Sequence, residues 1–352
     1  QGARWDSELS KDVILHWLTL MEPNGWIPRE QILGPEPRTR VPAEFVPQTP
    51  EHANPPTLTL QIQNFALNNA DGRHTLFLKR AWPYLERWFE WFRDSQSGSE
   101  AGTFRWRGRS GYHLLPCGLD DYPRSVCATD VEKHVDLYSW VSLMASTIQS
   151  IGDAMGEATS LGQYGTTLRE GLNDRHWDGR RKQFADRSGC GLAEIAQAQQ
   201  QDMDLTKYED AFVWRHFGYV NLFPVLTGIA DDERAAHVVN RTWELMSGFG
   251  LRSLRTKDKK KVPQSDNYWT GPIWINLNYL MLRALRTKYR TVAGSQELYT
   301  QLRSDIINNI LLEYIRTGKL WENYHPKNGR GQGTAPFTGW TTLVILMMAE
   351  EY

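Results

Sequence analysis

The apolar positions of this chain recur mainly three and four residues apart, the spacing of one helix face, and seldom alternate as in a half-buried strand. The run "WPYLERWFEWF" at 82–92 sets large apolar side chains along such a face. Patterns of this kind predict ten helices, at about 6–21, 56–68, 72–95, 130–156, 160–174, 215–228, 232–247, 271–287, 295–317 and 337–350. One short hairpin is expected in "HWDGRRKQFADRSG", turning at Asp178-Gly179.

Four connections between these helices are long: 24–56, 98–125, 257–271 and 320–337. Loops of that length are uncommon in compact domains unless they are functional or disordered. These hold Trp, Tyr and Phe, which argues against disorder. Helix, long loop, helix, short turn is the rhythm of an all-α toroid, a barrel of helical hairpins whose long loops gather around a cleft at one end. A closed (α/α)6 barrel needs twelve helices and the pattern supplies about ten. The expectation is therefore a single catalytic domain over 1–352 that lacks at least its first hairpin and is the C-terminal piece of a longer protein. No internal repeat is visible, which argues against a solenoid.

Charge narrows the partners. There are 40 basic and 41 acidic residues, a net charge of -1, and nothing here suits nucleic acid or an anionic membrane surface. No stretch reaches the ~18 apolar residues that span a bilayer. Cys117, Cys127 and Cys190 are too few for a disulfide scaffold. Both a Cys117–Cys127 bridge and three reduced thiols stay open. No Cys/His cluster has zinc-ligand spacing, and no cofactor is expected. The 15 tryptophans change the picture more. Trp106, Trp269, Trp274, Trp321 and Trp340 sit in Gly/Pro-rich, charged stretches, where a ring beside a carboxylate suits the apolar face and hydroxyl rim of a sugar.

The carboxylates of the loops carry the candidate chemistry. In "CGLDDYPRS", Asp120 and Asp121 repel each other when both are ionised. A neighbouring charge and burial keep a carboxyl protonated, as a general acid requires. The competing reading is a Mg²⁺-diphosphate site of the isoprenoid-synthase type, but Tyr-Pro-Arg follows and the third aspartate is missing. Thr129-x-x-Glu132 has the form of a capping box for a helix starting near Asp130. Glu132 and Asp136 would then share one face of that helix, a like-charge pair that stability does not ask for. Glycoside cleavage needs a second carboxylate across the substrate. The loop "LWENYHPKNGRGQGTAPFTGW" offers Glu322, beside Trp321 and Tyr324. "SDNYWTGPIWINLNYL" places Asp266, Asn267, Tyr268 and Trp269 before a helix expected near Gly271, and "FRWRGRSGYH" adds Trp106, Arg107, Arg109 and His113.

Together, "FRWRGR…GLDDYPR…EKHVDL", "NYWTGPIWINLNYL", "WENYHPKNGRGQG…FTGWTTLV" and "ILGPEPRTRVPAEFVPQ…NPPTL" resemble glycoside hydrolase family 63, most closely its eukaryotic processing α-glucosidase branch. The likeness runs from about Gly25 to Trp340. It implies an (α/α)6 catalytic barrel, preceded in the family by a β-sandwich domain and a membrane anchor, neither of them in this sequence. The implied reaction is cofactor-free and inverting: removal of the outermost α-1,2-linked glucose from the triglucosylated N-glycan precursor in the endoplasmic reticulum lumen. The general acid falls on Asp120 and the general base on Glu322. Asp121, Glu132 and Asp136 would hold sugar hydroxyls or tune Asp120. Arg109, Trp106, Tyr268, Trp269, Trp321 and Tyr324 would line the pocket. Three alternatives remain: a trehalase-like glycosidase, a non-catalytic carbohydrate-binding protein and, disfavoured by the missing third aspartate, an isoprenoid synthase.

Overall fold

The structure, a computed structural model, describes residues 2–125, 129–157, 159, 161–187, 212–213, 216–259 and 265–352. Cys127 and Cys190 lie outside these residues, so the cysteine pairing is not among the described features. The fold is all-α, a helical barrel with little sheet. Among the described residues, nine helices have eight residues or more. They are α1 (Ser7–Thr19), α2 (Leu58–Leu67), α3 (Thr75–Ser95), α4 (Val135–Met155), α5 (Leu161–His176), α6 (Tyr219–Leu226), α7 (Asp232–Thr242), α8 (Ile275–Arg286) and α9 (Ser295–Thr317). Each of the ten expected segments contains helix. The tenth is a 3₁₀ turn, Trp340–Leu343, running into the short helix Val344–Ala349. No described helix is long and apolar enough to cross a membrane.

Helix α3 is amphipathic, and its stripe of Phe77, Leu78, Ala81, Leu85, Trp88, Phe89 and Phe92 is buried. Helix α4 is instead buried nearly all round, and α2, α3, α5 and α6 all pack against it. Two of its buried serines are satisfied within the helix: Ser139 donates to the Val135 carbonyl and Ser142 to that of Tyr138. It ends at Gly156, whose φ of 70° suits a left-handed cap. Helix α8 plays a comparable part in the other half, contacting α6 and α9.

Helices α4 and α8 begin later than their patterns suggest, and the same physical reason applies to both. Helix α4 starts at Val135 with His134 as its N-cap, not near Asp130. Lys133 exchanges backbone hydrogen bonds with Arg187, and the His134 N–H donates to the Phe104 carbonyl. Those groups are therefore not available to an earlier helical turn. The side chain of Asp186 caps the start instead, accepting from the Val135 N–H at 2.8 Å. The expected capping box is thus corrected: Glu132 precedes the helix and does not share a helical face with Asp136. Helix α8 starts at Ile275 because the Gly271 N–H donates to Ser253 Oγ and Ile273 pairs with Tyr324.

The hairpin forms as expected, with β1 (Trp177–Asp178) antiparallel to β2 (Gln183–Phe184) and the Asp178 side chain accepting from the Arg180 and Arg181 N–H groups. A second hairpin, β3 (Asn323–Tyr324) with β4 (Gly331–Gln332), has no counterpart in the sequence pattern. Single bridges then link Gly218 to Leu254, Arg252 to Ile273 and Ile273 to Tyr324. These bridges tie the 252–254 and 271–274 segments to the start of the second hairpin.

Candidate active site

Asp120 and Asp121 leave a 3₁₀ turn (Leu115–Cys117) through Gly118, whose φ of 74° is left-handed. The Leu114 N–H donates to the Asp120 carbonyl and closes the loop. From there the two neighbours diverge. Asp121 is 1 % exposed. Its Oδ1 accepts from the Trp269 N–H at 2.5 Å, and its Oδ2 from the Tyr268 N–H at 3.2 Å and Ser265 Oγ at 2.8 Å. Asp120 is half-buried and faces a cavity of about 380 Å³. Burial raises its carboxyl above the usual aspartate range; Arg29 pulls it back, and Asp121 adds to the rise.

The cavity beside Asp120 is lined largely by the 24–56 loop, including Trp26, Arg29, Glu30, Gln48, His52 and Asn54. None of these was among the expected site residues. The signal available was the placing of Arg29-Glu30 and His52-x-Asn54 in a long loop with Trp26. The 105–113 loop presses on this wall. A Cβ on Gly108, which has φ 80°, would stand 2.5 Å from His52 Nε2.

Glu322 begins the second hairpin and is held at every polar atom. Tyr268 Oη donates to Oε1, and the Thr334 N–H donates to Oε2 at 3.0 Å. The Glu322 N–H donates to the Thr334 carbonyl, and Trp340 Nε1 donates to the Glu322 carbonyl at 2.7 Å. The close turn needs glycine at 333: φ is 71°, and a Cβ there would lie 2.2 Å from Glu322 Oε2. Burial and the bond to Glu322 push the Tyr268 phenol well up, so it remains a protonated donor.

Beneath Tyr268 and Glu322 the aromatic residues pack on one another. Trp269 stacks on Trp274 at 3.8 Å, and Tyr268 meets Trp274 edge-on at 4.8 Å. Trp340 leans on Trp274 at 5.7 Å. Trp269, Tyr324 and Trp106 are 4 %, 0 % and 1 % exposed. Trp269 belongs to this stack, and the rings of Tyr324 and Trp106 are buried as well. Trp321 is half-buried over Gly331, with its indole N–H near Thr317 Oγ1.

The remaining expected residues form two buried ion groups under the acid loop. Arg109 holds Glu132 at 2.6 Å and the Ser125 carbonyl at 2.5 Å. Burial pushes the Glu132 carboxyl up to about 7 against the pull of Arg109. Arg124 spans both oxygens of Asp136 and reaches Asp186 at 2.9 Å. Burial opposes the Arg124 charge, and the Asp136 and Asp186 carboxylates outweigh that opposition and raise its pKa. Asp136 is fully buried in this pairing. At the rim, Asp266 accepts from Tyr112 Oη at 2.8 Å and pairs with His113 Nε2 at 2.6 Å, joining the 98–125 and 257–271 loops. Among the described residues, no group of three or more His, Cys, Asp or Glu is placed to hold a metal ion.

The family model for the glycosyl hydrolase family 63 C-terminal domain matches residues 2–350. Over 99 % of its length the chain is 34 % identical to a Schizosaccharomyces pombe protein named "Probable mannosyl-oligosaccharide glucosidase", covering 48 % of that protein. It is 35 % identical to the Arabidopsis thaliana "Mannosyl-oligosaccharide glucosidase GCS1", again over 99 % of the chain and 46 % of the relative. The chain thus spans about half the length of these curated relatives. Among solved structures, a GH63 mannosylglycerate hydrolase from Thermus thermophilus superposes with a TM-score of 0.64 at 16 % identity, covering 98 % of this chain and 92 % of that one. At that identity the likeness is one of fold.

Proposed function

The chain belongs to glycoside hydrolase family 63, and we propose that it carries the catalytic centre of an inverting exo-α-glucosidase. The substrate is the terminal α-1,2-linked glucose of a glucosylated N-glycan, and the setting is the endoplasmic reticulum lumen. The partner within the same protein is the N-terminal part that the relatives' greater length represents. Asp120 protonates the glycosidic oxygen as the C–O bond breaks. Glu322 takes a proton from the water that attacks the anomeric carbon on the opposite face. The products are β-glucose and the shortened glycan with a free hydroxyl.

The observation that carries this reading is the unequal treatment of the carboxylates. Asp120 has a raised pKa, lacks the three donors that hold Asp121, and opens on a cavity. Glu322 stands across two loops with a donor on each oxygen. An inverting pair calls for carboxyl groups ~6.5–9.5 Å apart, and a retaining pair for ~5–5.5 Å. The test is turnover of a glucose-capped oligomannose glycan beside trehalose. Release of glucose from the glycan alone is expected. Preference for trehalose would move the substrate, and glycan binding without turnover would make the chain a lectin-like binder.

A further inference from the structure

We propose that Asp121 is a positioning residue that sets where Glu322 stands relative to Asp120, and that it acts through Tyr268. The proposal rests on the acid and base roles just given. Asp121 is the covalent neighbour of the acid, so wherever its carboxylate is anchored, Asp120 is anchored too. That carboxylate gathers three donors of one segment, Ser265 Oγ and the N–H groups of Tyr268 and Trp269. The same Tyr268 reaches onward and donates its phenol hydrogen to Glu322 Oε1. Acid and base, far apart in sequence, are thereby joined by one peptide link and two hydrogen-bonded steps.

Each step of this path is braced. The Tyr268 carbonyl accepts from Trp274 Nε1 at 3.1 Å, and the Trp274 ring fixes the phenol edge-on. The Thr334 N–H holds the second oxygen of Glu322. Hydrogen bonds to a buried charge are the strong ones and tolerate little displacement. At 1 % exposure and with donors on both oxygens, Asp121 has no side left for a sugar hydroxyl. The adjacent aspartates therefore divide the work: one meets the bond, and the other holds the loop that holds the base.

The test is steady-state kinetics of the native full-length protein on an α-1,2-linked glucose disaccharide. Tyr268→Phe keeps the ring and its backbone bonds and removes only the donor to Glu322. Asp121→Asn keeps one acceptor and turns an amide N–H toward a donor. Both should lower kcat by about ten- to a hundredfold while KM stays within about twofold. The double variant should be no worse than Asp121→Asn alone, because both act on one path. Asp121→Asn should also move the alkaline limb of the pH–rate profile to lower pH. The Asp121 charge helps keep the proton on Asp120, among facing groups that include Arg29 and His113. Tyr268→Phe should leave that limb in place. Wild-type kcat in Tyr268→Phe, or losses that multiply in the double variant, would overturn the proposal. If Asp121→Asn melts early, Tyr268→Phe decides alone. Glu322→Gln separates the levels: turnover retained there removes the base assignment itself, whereas its loss beside an unaffected Tyr268→Phe removes only the positioning role.

Discussion

Asp120 and Glu322 are both acidic residues of long loops, and the molecule treats them in opposite ways. Around Asp120 the chain buries the carboxyl and sets a second carboxylate next to it, and both raise its pKa against the pull of Arg29. Around Glu322 the chain supplies a donor to each oxygen and a glycine that lets the turn close on it. The supports differ as well. The acid side rests on buried ion groups, Arg109–Glu132 and Arg124–Asp136–Asp186. The base side rests on stacked aromatic rings and short backbone bridges. Two like residues thus stand in unlike environments, as the proposed division between acid and base requires.

The largest effect expected is on turnover. Asp120→Asn and Glu322→Gln should each cost about 10²–10⁴-fold in kcat with the melting temperature near wild type, read by kinetics beside calorimetry. Near-normal turnover in either would break the division between acid and base. On the acid side, Arg124→Ala leaves two buried carboxylates without their cation and should destabilise by about 3–5 kcal/mol, measured by denaturant unfolding. An unchanged midpoint would show that the ion group does not support that loop.

Glu132 sharpens the same side through pH. Its folded pKa of about 7 lies above the ordinary glutamate value of 4.5, so the folded state binds the extra proton between those values. That contribution is fully present below the unfolded pKa and is lost as pH rises through the folded one. It amounts to about 3 kcal/mol at most. Wild-type stability should fall from pH 4.5 to 7 more steeply than that of Glu132→Gln. Parallel curves would show that Arg109 already holds Glu132 ionised. On the base side, Gly333→Ala meets Glu322 Oε2 and a left-handed backbone. It should cost about 1 kcal/mol of stability and lower kcat with little change in KM. Wild-type kinetics would mean that the turn is not what places the base.

Much of the helical frame was legible because its signals are local. Helix α9 occupies Ser295–Thr317 between Gly294 and Gly318, both in left-handed conformations that punctuate the pattern. The starts of α4 and α8 were misplaced because lateral backbone bonds, between Lys133 and Arg187 and between Ile273 and Tyr324, compete with helix and leave no mark on periodicity. In the site, Asp120 and Glu322 stood out by motif. The tasks of Asp121 and Asp136 did not, since a carboxylate reads alike whether it faces a sugar or a buried donor. For the same reason the pattern does not separate a ring that meets substrate from one that packs a loop, and Trp106, Trp269 and Tyr324 are buried. The wall formed by the 24–56 loop was missed because its residues meet Asp120 only in the fold.

The central claim, that Asp120 and Glu322 act across the bond as an inverting acid and base, is tested most directly by NMR of the glucose anomer first released from a glycan capped with α-1,2-linked glucose. Initial β-glucose, with the α-anomer growing in only by mutarotation, is the predicted result. Initial α-glucose would contradict the account.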